Sequence, residues 1–357
     1  MTAATTSRAV LVTGATGLVG NELVDQLLKH NACEVVGASR RGSRTGSEVV
    51  AWDMAIEPPP ARLRRHWGAI VNAAASTRWT MSPEEATAAN VASVRALEPL
   101  VAPDTHVIHV STAYALGLRG TVESVKLEDY RNTYEWSKAH AERVARETFA
   151  HLTLVRPTLI VGRRSDGRAA RFSGMYTLIR GLTVGTVPAV VANPHARFDA
   201  IPVDMLGALL ADLATKGDVS ERSVLTIAAG AGAPTIQEAI TVIVDYLNHW
   251  REGHSCQSLQ HPPIISPEAW NRFFRPFVSK YLTNRQLLIL ELLRNFEPYL
   301  ALTDPLQPDY TAEEILPCLA TSTNYWAETN PRVAALTPSP WHGFGSDVAQ
   351  AAETSHA

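Results

Sequence analysis

The sequence is poor in cysteine, in charge of one sign and in long apolar runs, and each shortage removes a class of protein. Three cysteines among 357 residues, Cys33, Cys256 and Cys318, form neither a CxxC pair nor a metal-ligand spacing. An odd, scattered set argues against a disulfide framework and fits a reducing, cytoplasmic setting in which the thiols are small buried side chains. A formal charge of −3 provides no global field for nucleic acid or an anionic membrane surface. No zinc-protease spacing links His106, His109 and His140, which read as ordinary surface or core residues, so no metal site is expected. Residues 1–8 are short and polar, and the apolar run after them is broken at once by Thr13 and Gly14. That run reads as a buried strand rather than a signal peptide. The greasiest late stretch, residues 287–302, is interrupted by Glu291, Arg294, Asn295 and Glu297, which rules it out as a bilayer span. A core-facing amphipathic helix is the expectation there, with peripheral membrane contact left open.

What is present is enough apolar content, 46%, to bury a large core in one big domain or two intimate ones. Short β-branched runs at 9–13, 34–38, 49–52, 69–73, 107–111 and 153–155 alternate with helix-like segments at 19–30, 82–101 and 134–150. This rhythm is that of buried parallel strands with crossover helices. After Gly162 a stretch rich in Gly, Pro and Arg intervenes. The pattern then returns at 198–203, 205–215, 223–228 and a helix to about Trp250. The fold class expected is therefore α/β: a Rossmann-type doubly wound parallel sheet with a smaller, mostly helical substrate-binding lobe toward the C-terminus. Residues 1–162, completed by about 198–250, form the dinucleotide-binding part. Residues 163–197 and 251–337 form the lobe, and 338–357 a loose tail.

Between the first strand and first helix stands Thr13-Gly14-Ala15-Thr16-Gly17-Leu18-Val19-Gly20. Gly14 permits a tight turn, Gly17 lets the backbone approach a pyrophosphate, and Gly20 lets the helix pack closely on the strand. The helix start, at Leu18 and Val19, offers free N–H groups to an anion. An ordinary strand–turn–helix corner is the competing explanation, but the position within a βαβ unit favours a dinucleotide. The second strand ends Ala38-Ser39-Arg40-Arg41 without the acid that bonds a ribose 2′-hydroxyl. Arg40 or Arg41 suits a 2′-phosphate, so NADPH is expected rather than NAD. Asp53 and Met54, after the third strand, are placed against the adenine.

Tyr134 and Lys138 stand four apart, on one face of a helix. A phenol titrates near pH 10 when free, and an adjacent ammonium is expected to lower that value toward usefulness in acid–base chemistry. Ser111 closes the fifth strand at the edge where ligands sit in open α/β sheets, and its hydroxyl can bond a substrate carbonyl.

With these residues in view, the chain resembles an extended short-chain dehydrogenase/reductase over about residues 8–250. The resemblance implies Ser111, Tyr134 and Lys138 as the catalytic set, with Lys138 also on the nicotinamide ribose. It implies that Asn72-Ala73-Ala74 lines the cofactor, that Asn90 is structural, and that Arg156-Pro157-Thr158 forms the turn beside the nicotinamide. The stretches 73–79, 109–114 and 132–142, with Ile201-Pro202-Val203-Asp204-Met205, resemble the fatty acyl-CoA reductases and thioester reductase domains. That likeness implies an acyl-CoA or acyl-carrier-protein thioester reduced to an aldehyde, and in a second round to an alcohol. Ser111 and Thr112 are then expected at the substrate. Five arginines between Gly162 and Arg180 face a single acid, Asp166, and Arg168 and Arg171 are expected to attract the phosphates of coenzyme A or an acidic carrier. A solvated loop with its charges paired elsewhere is the competing explanation. The rival functions are a nucleotide-sugar epimerase or dehydratase of the same fold, a reductase of free ketones or aldehydes, and a non-catalytic binding protein on the same scaffold.

Overall fold

The computed structural model describes residues 8–30, 33–42, 47–185, 187, 189–216, 223–274, 276 and 299–338. The amphipathic helix expected across 287–302 lies almost wholly outside these, as does the tail beyond 338. The strands in chain order are β1 (Arg8–Thr13), β2 (Cys33–Ser39), β3 (Val49–Ala51), β4 (Ala69–Asn72), β5 (His106–Val110) and β6 (Leu152–Pro157). They continue with β7 (Leu159–Val161), β8 (Val190–Val191), β9 (Ala200–Pro202), β10 (Ser223–Ala228), β11 (Ile264–Ile265) and β12 (Tyr310–Thr311). Eight of them form one sheet in the order β12-β10-β6-β5-β4-β1-β2-β3. Every pairing in it is parallel. The doubly wound sheet expected from the strand–helix rhythm is thus the observed one. β7 pairs with β9, and β8 with β11, as separate two-stranded ribbons. The apolar pattern at 198–203 therefore marks a strand outside the main sheet.

The helices are α1 (Leu18–His30), α2 (Pro83–Ala86), α3 (Ala92–Arg95), α4 (Thr133–Thr148), α5 (Met175–Thr183), α6 (Val203–Thr215) and α7 (Ile236–Gly253). α8 (Pro267–Ala269), α9 (Ile315–Thr329) and α10 (Pro331–Ala334) follow. The single helix expected over 82–101 is instead α2, a π-turn at Thr87–Val91, α3 and a separate 3₁₀ turn at Glu98–Leu100. Ser82 starts it with a capping box to Glu85. The π-turn carries Asn90 and turns its side chain inward, an arrangement that periodicity cannot reveal.

Two apolar layers cover the sheet. On one face Leu11, Ile70, Trp52, Trp67, Val94 and Phe149 cluster. On the other, Val10, Leu23 and Ile108 share a core with Ile179 of α5, Leu206 of α6, Ile243 of α7, and Leu319 and Trp326 of α9. The segments assigned by sequence to a separate lobe thus enter the same core, and β12 from that region extends the main sheet beside β10. No helix among the described residues is long and apolar enough to cross a membrane.

Candidate active site

The turn after β1 has the geometry that glycine alone supplies. Gly14 has φ +70°, and a Cβ there would lie 2.6 Å from the Ala73 carbonyl oxygen. A Cβ on Gly20 would strike the Gly14 carbonyl oxygen at 2.3 Å, so α1 can seat against the turn only as glycine. Gly17 donates its N–H back to Gly14 (2.8 Å), closing the turn. The loop and the N-terminus of α1 remain partly accessible at Thr16, Gly17, Leu18 and Val19, a cradle that fits a pyrophosphate. At the end of β2 a second turn is closed by Gly42 N–H to the Ser39 carbonyl (3.2 Å), with Gly42 at φ +60°. Arg40 and Arg41 stand exposed at its tip. The Asp53 carboxylate accepts the Ala55 N–H (3.1 Å) in the turn after β3. Met54 faces a groove of about 740 Å³ whose walls include Pro83, Thr87, Val91 and Trp136.

Ser111, which follows β5 rather than ending it, donates its N–H to the Val155 carbonyl (2.7 Å). Its Oγ is buried and has no hydrogen-bond partner among the described residues. Lys138 Nζ donates to the Val110 carbonyl (2.7 Å). The carboxyl end of β5 is therefore tied to α4 through Lys138, with Ser111 and Thr112 next along the chain. Asn132 caps that helix by accepting the Glu135 N–H (3.0 Å). Asn90 joins the parts: its amide donates to Ser137 Oγ (2.8 Å) and accepts the Ser76 N–H (2.7 Å).

The electrostatics correct one expectation. Burial pushes the Tyr134 phenol up to about 12, with the Thr112 hydroxyl opposing and the Glu135 carboxylate adding to the rise. It is Lys138 that moves toward the neutral pH range: burial brings its ammonium down to about 8, against the pull of Glu142. Desolvation of the charged form is the largest cause in both shifts.

Asn72 is 1% exposed and turns into the sheet toward His109 instead of lining the cleft. Ala73 and Ala74 do border the glycine turn. Pro157 ends β6, and the Thr158 hydroxyl donates to Asp199 (3.0 Å), whose carboxylate also accepts the Ala229 and Gly230 N–H groups. Among the arginines, Arg163 pairs with Glu22 (2.5 Å) and Asp25 (2.7 Å) of α1, and Arg164 with Asp204 (3.0 Å). Arg168 is exposed. Arg171 reaches the Thr16 carbonyl (3.2 Å), over the glycine turn rather than beside Ser111. The positive field expected of the loop is thus partly neutralised.

Sequence reasoning missed a group around Tyr299. Its phenol donates to buried Glu135 (2.5 Å) and accepts from the Asn132 amide (2.8 Å). Its ring stacks on Trp79 and meets Tyr114 edge-on. Contact over so long a sequence separation leaves no local signal. His109 was missed too, although a strand's two-residue period puts it on the same face as Ser111.

Fold and family comparisons agree with this geometry. Residues 58–209 match the family described as Male sterility protein. A search of curated proteins finds no match. The terminal R domain from the myxalamid PKS-NRPS biosynthetic pathway superposes with a TM-score of 0.67 at 16% identity, over 93% of each chain. A thiolation-reductase di-domain from an archaeal non-ribosomal peptide synthetase gives 0.60 at 16% identity, over 91% of this chain and 76% of that one. The Bordetella bronchiseptica enzyme WbmH, solved with NAD+, gives 0.61 at 16%, over 90% and 99%. Residues 58–209 are thus similar to that family, and the chain as a whole shares its fold with these solved structures.

Proposed function

We propose that this protein is an NADPH-dependent reductase that converts an acyl thioester, on coenzyme A or a carrier protein, to an aldehyde and in a second round to the alcohol. The observation that carries this reading is the docking of α4 on the carboxyl end of β5, where Lys138 Nζ donates to the Val110 carbonyl and the neighbouring Ser111 Oγ is buried without a hydrogen-bond partner among the described residues, along the sheet edge that also bears a glycine cradle suited to a pyrophosphate. The male-sterility match over residues 58–209 and the fold shared with two reductase domains of biosynthetic assembly lines support the choice of thioester. NADPH in the cradle would supply hydride. Gly14, Gly17 and the start of α1 would hold its pyrophosphate, Arg40 and Arg41 the 2′-phosphate, and Asp53 and Met54 would border the adenine. The substrate carbonyl oxygen would take the place left open at Ser111 Oγ, beside Tyr134. As negative charge develops on that oxygen, Tyr134 would donate its proton, and Lys138 one turn along α4 would stabilise the phenolate. The resulting hemithioacetal would expel thiol and leave the aldehyde.

The test is NADPH oxidation with acyl-CoAs, acyl-carrier thioesters, aldehydes and ketones, with products identified by mass. Thioester-dependent oxidation giving aldehyde or alcohol is expected. Tyr134→Phe should lower kcat by about 10²–10⁴-fold with NADPH affinity retained. Oxidation with ketones or aldehydes alone would assign a carbonyl reductase. The epimerase reading draws on the shared fold with an NAD+-bound enzyme; tightly held NAD without net NADPH consumption would favour it. A carrier contact through exposed Arg168 should appear as a raised KM after charge reversal, with NADPH affinity unchanged; Arg171, which bonds the Thr16 carbonyl of the glycine turn, would disturb both.

A further inference from the structure

Beneath the candidate site, a polar row crosses the interior of the sheet. Thr13 of β1 is in register with Asn72 of β4, and Asn72 with His109 of β5. All three are at most 1% exposed. Thr13 Oγ1 donates to Asn72 Oδ1 (2.7 Å), and Asn72 Nδ2 lies 3.2 Å from His109 Nδ1. His109 Nε2 in turn lies 3.4 Å from Lys138 Nζ. The row ends on the lysine that the sequence pairs with Tyr134.

The hydrogens of this row follow from one donor that cannot be reversed. The Ala74 backbone N–H donates to Asn72 Oδ1 (3.3 Å). The Asn72 oxygen must therefore face Ala74 and Thr13, and its NH₂ must face His109. His109 Nδ1 has to accept, so the ring is neutral and carries its proton on Nε2. Burial also disfavours the imidazolium, as does Lys138. That Nε2–H points at Lys138 Nζ. An ammonium there would set donor against donor, whereas a neutral amine has a lone pair to accept the bond while donating to the Val110 carbonyl.

We propose that His109 is a positioning residue: held in its Nε2–H form by Asn72, it presents an N–H to Lys138 and lowers the proton affinity of that side chain, so that the ammonium facing the phenolate can pass its proton on. The lysine is thereby made ready to give up a proton and take it back near neutral pH. Its importance for catalysis rests on the reductase reading above; the hydrogen-bond arrangement itself does not. Other titratable groups near Lys138 are Tyr134, one turn earlier on α4, and Glu142, one turn later. Glu142 is engaged by Arg156 from β6 and by Arg146. Facing His109, Lys138 is the charged group, since Thr13 and Asn72 are neutral.

The experiment is nitrogen and carbon NMR of the full chain, labelled in histidine and lysine. His109 should show an unprotonated Nδ1 and a protonated Nε2, unchanged from pH 5 to 9. His109→Phe removes the N–H and should raise the Lys138 midpoint by about one pH unit, roughly tenfold in proton affinity. His109→Gln, which keeps an N–H donor, should restore much of the original midpoint. Asn72→Asp supplies an acceptor to Nδ1–H, moves the ring proton, and should also raise the midpoint; it serves if His109→Phe does not fold. A protonated Nδ1, a ring that titrates in this range, or a lysine midpoint unmoved in a folded variant overturns the proposal. None of these readings requires turnover. A protein that reduces no thioester would refute the proposed reaction and leave this result to be judged by itself.

Discussion

His106 opens β5 at the edge of the sheet opposite the candidate site, and its Nε2 bonds the Thr153 hydroxyl (2.9 Å), which continues to Ser223 (3.1 Å). Burial holds its imidazole down at about 4, aided by the nearby Arg8 guanidinium and by His151. The unfolded chain therefore binds this proton more readily than the folded one between pH 4 and 6.5. Stability is full above 6.5 and declines as pH falls through that window, by on the order of 3 kcal/mol for a group so fully enclosed. Urea midpoints measured from pH 7 to 4 should fall steeply, and His106→Gln should flatten the slope; an unchanged slope would count against this source. The sequence places His109 within the strand 107–111 and leaves His106 just before it, and it shows the partners of neither, because each partner comes from a neighbouring strand or helix whose register is a tertiary fact.

α4 is the element that assembles the candidate site, and it is anchored at both ends. At its start Asn132 caps the helix and Tyr299 bonds Glu135. Further along, Glu142 is fully buried and takes two bonds from the Arg156 guanidinium on β6 (2.9 and 2.6 Å). Removing one member of such a pair leaves a buried charge uncompensated. Glu142→Gln should destabilise the fold by about 3–5 kcal/mol, read by chemical denaturation. A loss below about 1 kcal/mol would mean that Arg146 or water replaces the carboxylate. The four-residue spacing of Tyr134 and Lys138 was legible because it is local. The π-turn at Thr87–Val91 was not, because it answers to the distant Ser76 and Ser137 that Asn90 must reach. The direction of the Tyr134 shift was also illegible: proximity to an ammonium can be read from spacing, but the desolvation that outweighs it depends on burial.

At the scale of the molecule, the C-terminal region is built into the sheet domain. β12 extends the sheet, and α9 packs on α7 within the core that β1 and α1 share. The loop after β7 is pressed against α9: the Gly162 N–H donates to Ser322 Oγ (3.0 Å), and Cys318 Sγ to the Gly162 carbonyl (3.3 Å). Gly167 has φ +69°, and a Cβ on it would meet the Thr321 carbonyl oxygen at 2.0 Å. Gly167→Ala is both sterically blocked and conformationally strained, and should destabilise by more than 1 kcal/mol. Hydrogen exchange should locate the effect, with α9 amides exchanging faster while β1, β4 and β5 keep their protection. Uniform protection across the variant would show that the loop can shift without releasing the helix.

The sequence alone determined the parallel sheet, the glycine turn after β1, the turn at Arg40 and Arg41, and the shared helical face of Tyr134 and Lys138. Each is encoded within a few residues by periodicity, by the absence of a Cβ or by i,i+4 spacing. Only the tertiary structure decided that Asn72 turns inward to His109, that Arg171 reaches the glycine turn, and that Tyr299 closes on Glu135. It also decided that burial brings the Lys138 pKa toward the neutral pH range and carries that of Tyr134 away from it. Those outcomes depend on which strands are neighbours and on how much water the packed chain excludes, and neither quantity is local to any stretch of sequence.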